Sequence, residues 1–227
     1  VGASHGGIVQ NMASLYRPPH LSALWVDVAP TNAFRWEVRQ GGAMALHMYG
    51  ALYLHGYDSQ EIADDPMAID RIERGAEKLR EEIWKQPFNP GDTPISAVPN
   101  LEKVLMHYYR DGCYNDWWKQ ESLDHAQHYD RMADIPAVYS SGWYDPFAAE
   151  TSEQFTHMAE KNQAPQRLIL GPWNHVSMRG KGSSFIGEIE FGDSARWGDS
   201  VLNRERFRWF DFWLKDVDTG VTNDDPV

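Results

Sequence analysis

The chain has 227 residues, of which 42% are hydrophobic and 13% aromatic, so it can bury a sizeable core, and an intrinsically disordered protein is excluded. Its formal net charge of -12 gives no electrostatic reason to bind a nucleic-acid backbone or an anionic membrane. Cys113 is the only cysteine, which excludes an internal disulfide and a thiolate metal cluster.

Residues 1–30 predict a strand end, a sharp turn, a helix and a second strand. In the stretch "HGGIVQNMASLY", Ile8, Met12 and Leu15 recur at helical spacing. The following stretch "LSALWVDVAP" is a short apolar run closed by Pro30, which is typical of a strand. This alternation favours an α/β protein.

Over residues 31–130 the sequence pattern changes from alternating strands and helices to helices, which predicts a helical insertion. The stretches "GGAMALHMYGALYLHGY" and "DPMAIDRIERGAEKLREEIW" carry helical patterns. At the start of the second stretch, Asp65 and Pro66 resemble an N-cap and a first-turn proline.

The α/β pattern returns over residues 131–217. It predicts a strand in "PAVYSSGWYDPF", a helix in "AAETSEQFTHMAE", a strand in "QRLILGPWNH" and a final helix in "SVLNRERFRWFDFWLKDV". On the final helix, the apolar side chains that share one side are Phe207, Phe210, Leu214 and Val217. The polar tail, residues 218–227, is typical of a linker to a further domain.

Three polar residues each follow a predicted strand: Ser4, Asp145 and His175. Taken singly, they could be a serine at a frayed end, a turn-capping aspartate and a surface histidine. However, "GASHG" fits G-x-S-x-G, the strand-to-helix elbow that exposes a nucleophilic serine, and α/β hydrolases carry their triad in the order Ser, Asp, His. In that arrangement the imidazole removes the serine proton, the carboxylate orients the imidazole, and the backbone N–H of His5 donates to the oxyanion.

The stretches "GASHGGIVQ", "SSGWYDPF", "LGPWNH" and "FDFWLKDVDTGV" together resemble the CocE/NonD hydrolases, which are related to the S15 X-Pro dipeptidyl-peptidases. The resemblance spans the chain and implies an α/β-hydrolase fold that begins at the nucleophile elbow, with residues 31–130 as an inserted helical cap and a jelly-roll domain after residue 227. It gives the triad roles to Ser4, Asp145 and His175, and places Phe147 and Trp36 near the substrate pocket.

Two departures from the family pattern follow from the same comparison. Family members commonly have an aromatic residue after the nucleophile, where this chain has His5. The family's second oxyanion donor is a tyrosine from a segment before the elbow, which this sequence does not contain. We expect the chain to be a fragment that is inactive by itself, because its sheet would lack the strands before the elbow.

We therefore expect a serine hydrolase that cleaves carboxylic ester or amide bonds, with a small molecule or short peptide as substrate and with no cofactor or metal. The alternatives are an X-Pro dipeptidyl-peptidase, in which Glu37 could bind the substrate amino group, and a non-catalytic α/β binding module. A metal site at His47 and His55 or at His125 and His128 is disfavoured, because satisfied or solvated histidines are commoner. A soluble, cytoplasmic protein is favoured, and the oligomeric state stays open.

Overall fold

The structure is a computed structural model, and it describes residues 1–177 and 180–227. The chain forms two compact units, the first from residues 1–32 and 120–227 and the second from residues 33–119. These boundaries differ from the predicted insertion of residues 31–130. Residues 120–130 belong to the first unit, because the short helical turn His125–Arg131 brings Tyr129 into its core.

The first unit contains a parallel sheet of four strands in the order β1-β2-β3-β4. The strands are β1 (Gly2–Ala3), β2 (Leu24–Asp27), β3 (Ala137–Gly142) and β4 (Gln166–Gly171). Because neighbouring strands are parallel, their carboxyl ends meet at one edge of the sheet, where ligands bind in open α/β sheets. The segments after β1, β3 and β4 carry the three predicted triad residues.

Helices cover both faces of this sheet. They are α1 (His5–Tyr16), α6 (Ala148–Lys161) and α7 (Asp199–Lys215). Side chains alternate along each strand, so Val26 and Tyr139 join Leu15 of α1 and Met158 of α6 in one cluster. The adjacent residues of the same strands point to the other face of the sheet and pack against α7 in a second cluster. This cluster includes Trp25, Val138, Leu202 and Trp209. The architecture is α/β, as predicted.

The orientation of α7 differs from the sequence prediction. Leu202 and Trp209 are its buried residues, whereas Phe207 and Leu214, predicted to face the core, are 67% and 57% exposed. Aromatic residues occupy most sides of this helix, so their spacing does not define one face. Leu202 and Trp209, which are seven residues apart, are buried instead, because they are the residues that pack against the sheet.

The tail at residues 218–227 also differs from the predicted linker. Val221 is buried, the N–H of Leu168 in β4 donates to the Pro226 carbonyl at 2.8 Å, and Asp224 pairs with Arg167 at 2.7 Å. The tail therefore packs onto the outer edge of β4.

A short hairpin precedes α7, and it is formed by β5 (Phe185–Ile186) and β6 (Ile189–Glu190).

The second unit is helical, as the sequence predicts. Its helices are α2 (His47–Tyr57), α3 (Pro66–Glu77), α4 (Leu79–Glu82) and α5 (Pro99–Arg110). The predicted N-cap is confirmed, because the Asp65 carboxylate accepts from the N–H groups of Met67 and Ala68 at 3.0 and 3.1 Å. In the described part of the chain, no helix combines the length and apolar character needed to cross a membrane.

Candidate active site

Ser4 occupies a strained turn between β1 and α1. Its φ of 56° and ψ of -119° lie in a region that non-glycine residues rarely adopt. The Ser4 N–H donates to the Asp27 carbonyl at 2.9 Å, and the Ser4 carbonyl accepts from Gly7 at 2.8 Å. A Cβ at Gly2 would lie 2.8 Å from the backbone of Gly6, so glycine is required two residues before the serine. A strained serine between a strand and a helix, with glycine two residues before it, is what the predicted nucleophile elbow requires, and the role of Ser4 stays a prediction.

Asp145 follows β3 and is buried. Its Oδ1 accepts from the N–H of Phe147 at 2.8 Å, and its Oδ2 accepts from Nδ1 of His175, also at 2.8 Å. The turn-capping interpretation of this aspartate is therefore confirmed, and its catalytic role stays a prediction. The side chain caps its turn, and it holds the imidazole.

His175 lies in the turn after β4, which its neighbours make rigid. The Asn174 carboxamide oxygen accepts from the N–H groups of Val176 and Ser177 at 3.1 and 2.9 Å, and Ser177 Oγ accepts from the N–H of Asn174 at 2.8 Å. The rings of Phe147 and His175 lie nearly perpendicular, with centroids 5.2 Å apart. The His175 ring is therefore held by its hydrogen bond to Asp145 and by its contact with Phe147.

The turns that carry Asp145 and His175 are bound to each other. The N–H of Trp143 donates to the Gly171 carbonyl at 2.8 Å, and the N–H of Tyr144 donates to the Trp173 carbonyl at 3.0 Å. A Cβ at Gly142 would lie 1.9 Å from that same Trp173 oxygen, so the close approach requires glycine. These contacts explain why a glycine precedes the aromatic residues of "GWYD".

Ser4 directly follows two residues that line a cavity with His175, but it is not among the described residues that line that cavity. Among residues 1–177 and 180–227, the Ser4 hydroxyl makes no hydrogen bond with the imidazole. A cavity of about 440 Å³ is lined by Gly2 and Ala3, which precede the serine, and by His175. The structure thus joins Asp145 to His175 and leaves the contact between His175 and Ser4 as a prediction.

An ion pair between the buried Asp27 and the partly exposed Arg206 lines the same cavity, and its only signal in the sequence is an acidic residue inside an apolar run. Asp27, at the end of β2, accepts from the Trp25 indole N–H at 2.7 Å and pairs with the guanidinium of Arg206 and the hydroxyl of Ser140. Burial raises the pKa of the Asp27 carboxyl, and the positive charge of Arg206 opposes that rise. The pair ties the strand beside the elbow to α7.

The remaining predicted residues have different surroundings. His5 is exposed and opens α1, so its N–H has no intrahelical acceptor. Phe147 is buried against His175. Trp36 lies in the second unit, in the π-helical turn Ala33–Glu37, with the Arg35 guanidinium 4.8 Å from its ring centroid. Among the described residues, no group of three or more His, Cys, Asp or Glu side chains could hold a metal ion.

Sequence reasoning missed several buried polar side chains near this site, above all Glu150 and Gln154 on α6. Their partners lie 118 and 143 residues away in the chain. No local pattern could have marked them, because only the folded sheet brings those segments together.

Comparisons with known proteins identify a family and a fold for this chain. Residues 1–177 match the family described as X-Pro dipeptidyl-peptidase (S15 family). Cocaine esterase from Rhodococcus sp. (strain MB1 Bresler) is 30% identical over 125 residues, which is 54% of this chain and 21% of that protein's length. A solved structure of a selenomethionine-labelled α-amino acid ester hydrolase has a TM-score of 0.58 at 17% identity, over 95% of this chain and 34% of the solved chain.

The structural likeness shows an α/β-hydrolase fold, and the chain spans only a minor part of both relatives. The family match covers well over half of the chain. The chain therefore belongs to the S15 family of X-Pro dipeptidyl-peptidases, with a CocE/NonD-like relative among its matches.

Proposed function

We propose that the protein is a serine hydrolase that cleaves carboxylic ester or amide bonds through an acyl-enzyme. The observation that carries this proposal is the 2.8 Å hydrogen bond between Asp145 and His175 at the sheet edge where Ser4 occupies a strained elbow. Nucleophilic acyl transfer needs a hydroxyl on such a turn and an imidazole with an oriented Nδ1–H, and the proposal brings Ser4 and His175 together in these roles.

Each residue has one task in this mechanism. Ser4 Oγ attacks the substrate carbonyl while Nε2 of His175 takes the serine proton and then gives it to the leaving alcohol or amine. Asp145 holds the Nδ1–H and stabilises the imidazolium that forms. The N–H of His5 donates to the oxyanion. Water, deprotonated by His175, then releases the acid and restores Ser4.

The substrate class is proposed from the relatives. Cocaine esterase and α-amino acid ester hydrolase are both named for ester substrates, which favours a small ester or a related amide. A second candidate, release of X-Pro dipeptides from the amino termini of peptides, is favoured by the family description. In that case an acidic residue must bind the substrate amino group, and Glu37 is our candidate. We assign Phe147 and Trp36 to the substrate pocket and the helical second unit to a cap.

A fluorophosphonate probe, applied to the full-length gene product, tests the nucleophile. We expect the probe to label Ser4, and Ser4→Ala to abolish labelling and to lower kcat by about 1,000-fold or more. Ser22, an exposed serine, supplies the matched control Ser22→Ala, which should keep both. Labelling of another residue in the Ser4→Ala protein would refute the assignment, and a folded protein that is never labelled would be a binding module.

A substrate panel then separates the two enzymatic candidates. Turnover of acyl esters with little turnover of Gly-Pro anilides indicates an esterase, and the reverse preference indicates an X-Pro dipeptidyl-peptidase. In the second case, Glu37→Gln should raise KM for anilides with a free amino terminus and leave KM for N-blocked esters unchanged.

A further inference from the structure

Helix α6 carries a polar face where an apolar one is expected. Glu150 and Gln154 lie one helical turn apart, and they are 0% and 1% exposed. This helix begins three residues after Asp145, so any movement of its first turn reaches the carboxylate. The N–H of Ala148 donates to the Asp145 carbonyl at 3.2 Å, and the N–H of Phe147 donates to its side chain.

Glu150 binds the segment that follows β2. Its Oε2 accepts from the N–H of Asn32 at 2.8 Å, from the hydroxyl of Thr31 at 3.1 Å and from the Thr31 N–H. A buried carboxylate is tolerated only where hydrogen-bond donors surround it, and here one oxygen gathers three. Because such bonds depend on distance and direction, the contact fixes the first turn of α6 along the sheet edge.

Gln154 binds the helix that follows the nucleophile. Its Nε2 donates to Oδ1 of Asn11 at 2.8 Å, and Nδ2 of Asn11 donates back to Gln154 Oε1 at 3.4 Å. Asn11 lies on α1, which begins at the residue after Ser4. Nδ2 of Asn11 also contacts Nε2 of the buried His125 at 3.0 Å. The carboxamide pair therefore sets the spacing between the helix of the serine and the helix of the aspartate.

We propose that Glu150 and Gln154 are positioning residues that hold the Asp145 carboxylate, and through it His175, in register with Ser4. The proposal rests on the proposed function. Apolar packing alone would hold α6 without directional preference, whereas these two sets of hydrogen bonds fix its distance from two other elements. A displacement of about 1 Å in a catalytic group can lower the rate about 100-fold.

The test shortens each side chain by one methylene while keeping its chemistry, with Glu150→Asp and Gln154→Asn in the full-length gene product. The measured quantities are kcat per fluorophosphonate-titrated site, KM and the thermal midpoint. Each variant should lower kcat by about tenfold or more with KM little changed.

Two further variants give the comparison its controls. Glu150→Gln keeps the length of the side chain and one oxygen acceptor, so this variant should retain most of the kcat of the unaltered protein. Glu160→Asp shortens an exposed side chain on the same helix and should leave every quantity unchanged.

The proposal is overturned if kcat per titrated site stays within twofold of the unaltered protein in both shortened variants, even where the thermal midpoint falls. If kcat per titrated site falls in only one of the two shortened variants, the positioning role is overturned for the residue that was altered in the other variant. Ser4→Ala, measured in parallel, separates the two levels of inference. If Ser4→Ala keeps its turnover, the proposed function fails, and if only Ser4→Ala is inactive, the positioning role fails.

Discussion

Protonation of His125 should destabilise the first unit in mild acid. The imidazole is 1% exposed, and burial, together with the neighbouring His128, lowers its pKa to about 4 from an ordinary value of 6.5. Because the unfolded chain binds the proton more tightly than the folded chain, stability rises with pH between about 4 and 6.5. At 1.36 kcal/mol for each pH unit, the full effect is about 3 kcal/mol.

Urea unfolding at pH values from 4 to 7.5, followed by tryptophan fluorescence, measures this effect. The unaltered protein should keep its full stability above pH 6.5 and lose about 3 kcal/mol as the pH falls toward 4. In His125→Gln the loss over that interval should shrink by most of this amount, since the titrating group is gone. His55→Gln, at an exposed histidine, should reproduce the unaltered curve. Equal pH slopes in the His125→Gln protein and the unaltered protein would refute the reasoning.

Two further predictions concern stability. Arg206→Met removes the only cation that pairs with the Asp27 carboxylate among the described residues, so the free energy of unfolding should fall by about 3 to 5 kcal/mol. Adding Asp27→Asn should recover part of that loss in a denaturant titration, and a double variant as unstable as Arg206→Met alone would contradict the ion-pair account. Asp65→Ala removes the cap of α3 and should lower the free energy of unfolding by about 1 kcal/mol, while Asp64→Ala, its exposed neighbour, should change it little. Equal unfolding midpoints for these two alanine variants would contradict the capping role.

The sequence predicts the elements of this fold where local physics decides them. The helix expected in "HGGIVQNMASLY" is α1 itself, and the strands expected before Asp145 and His175 are β3 and β4. Hydrophobic spacing, glycine and proline act within a few residues of the chain. The elements that they predict can therefore be identified without knowing the tertiary contacts. The long helix expected after Pro66 is divided at Lys78 into α3 and α4.

Long-range contacts decide what the sequence could not predict. The buried side of α7 depends on which aromatic residues meet Trp25 and Val138 from the sheet. Trp143 and Trp173 sit in similar motifs, but Trp173 is buried and Trp143 is 59% exposed. Trp173 joins the second core cluster, and its indole N–H donates to the Ala195 carbonyl at 2.7 Å.

The two oxygens of Asp145 accept two different hydrogen bonds, so an uncharged residue of the same shape cannot replace the aspartate. One oxygen serves the N–H of Phe147 and the other serves the imidazole, so both must be acceptors. An asparagine has the same outline but one acceptor and one NH₂ group, and either rotamer would point that NH₂ at another donor. The imidazole could avoid this clash of donors only by moving its hydrogen to Nε2, the atom that receives the serine proton in the proposed mechanism. A protein that carried an amide here would need to rebuild the turn and the base together.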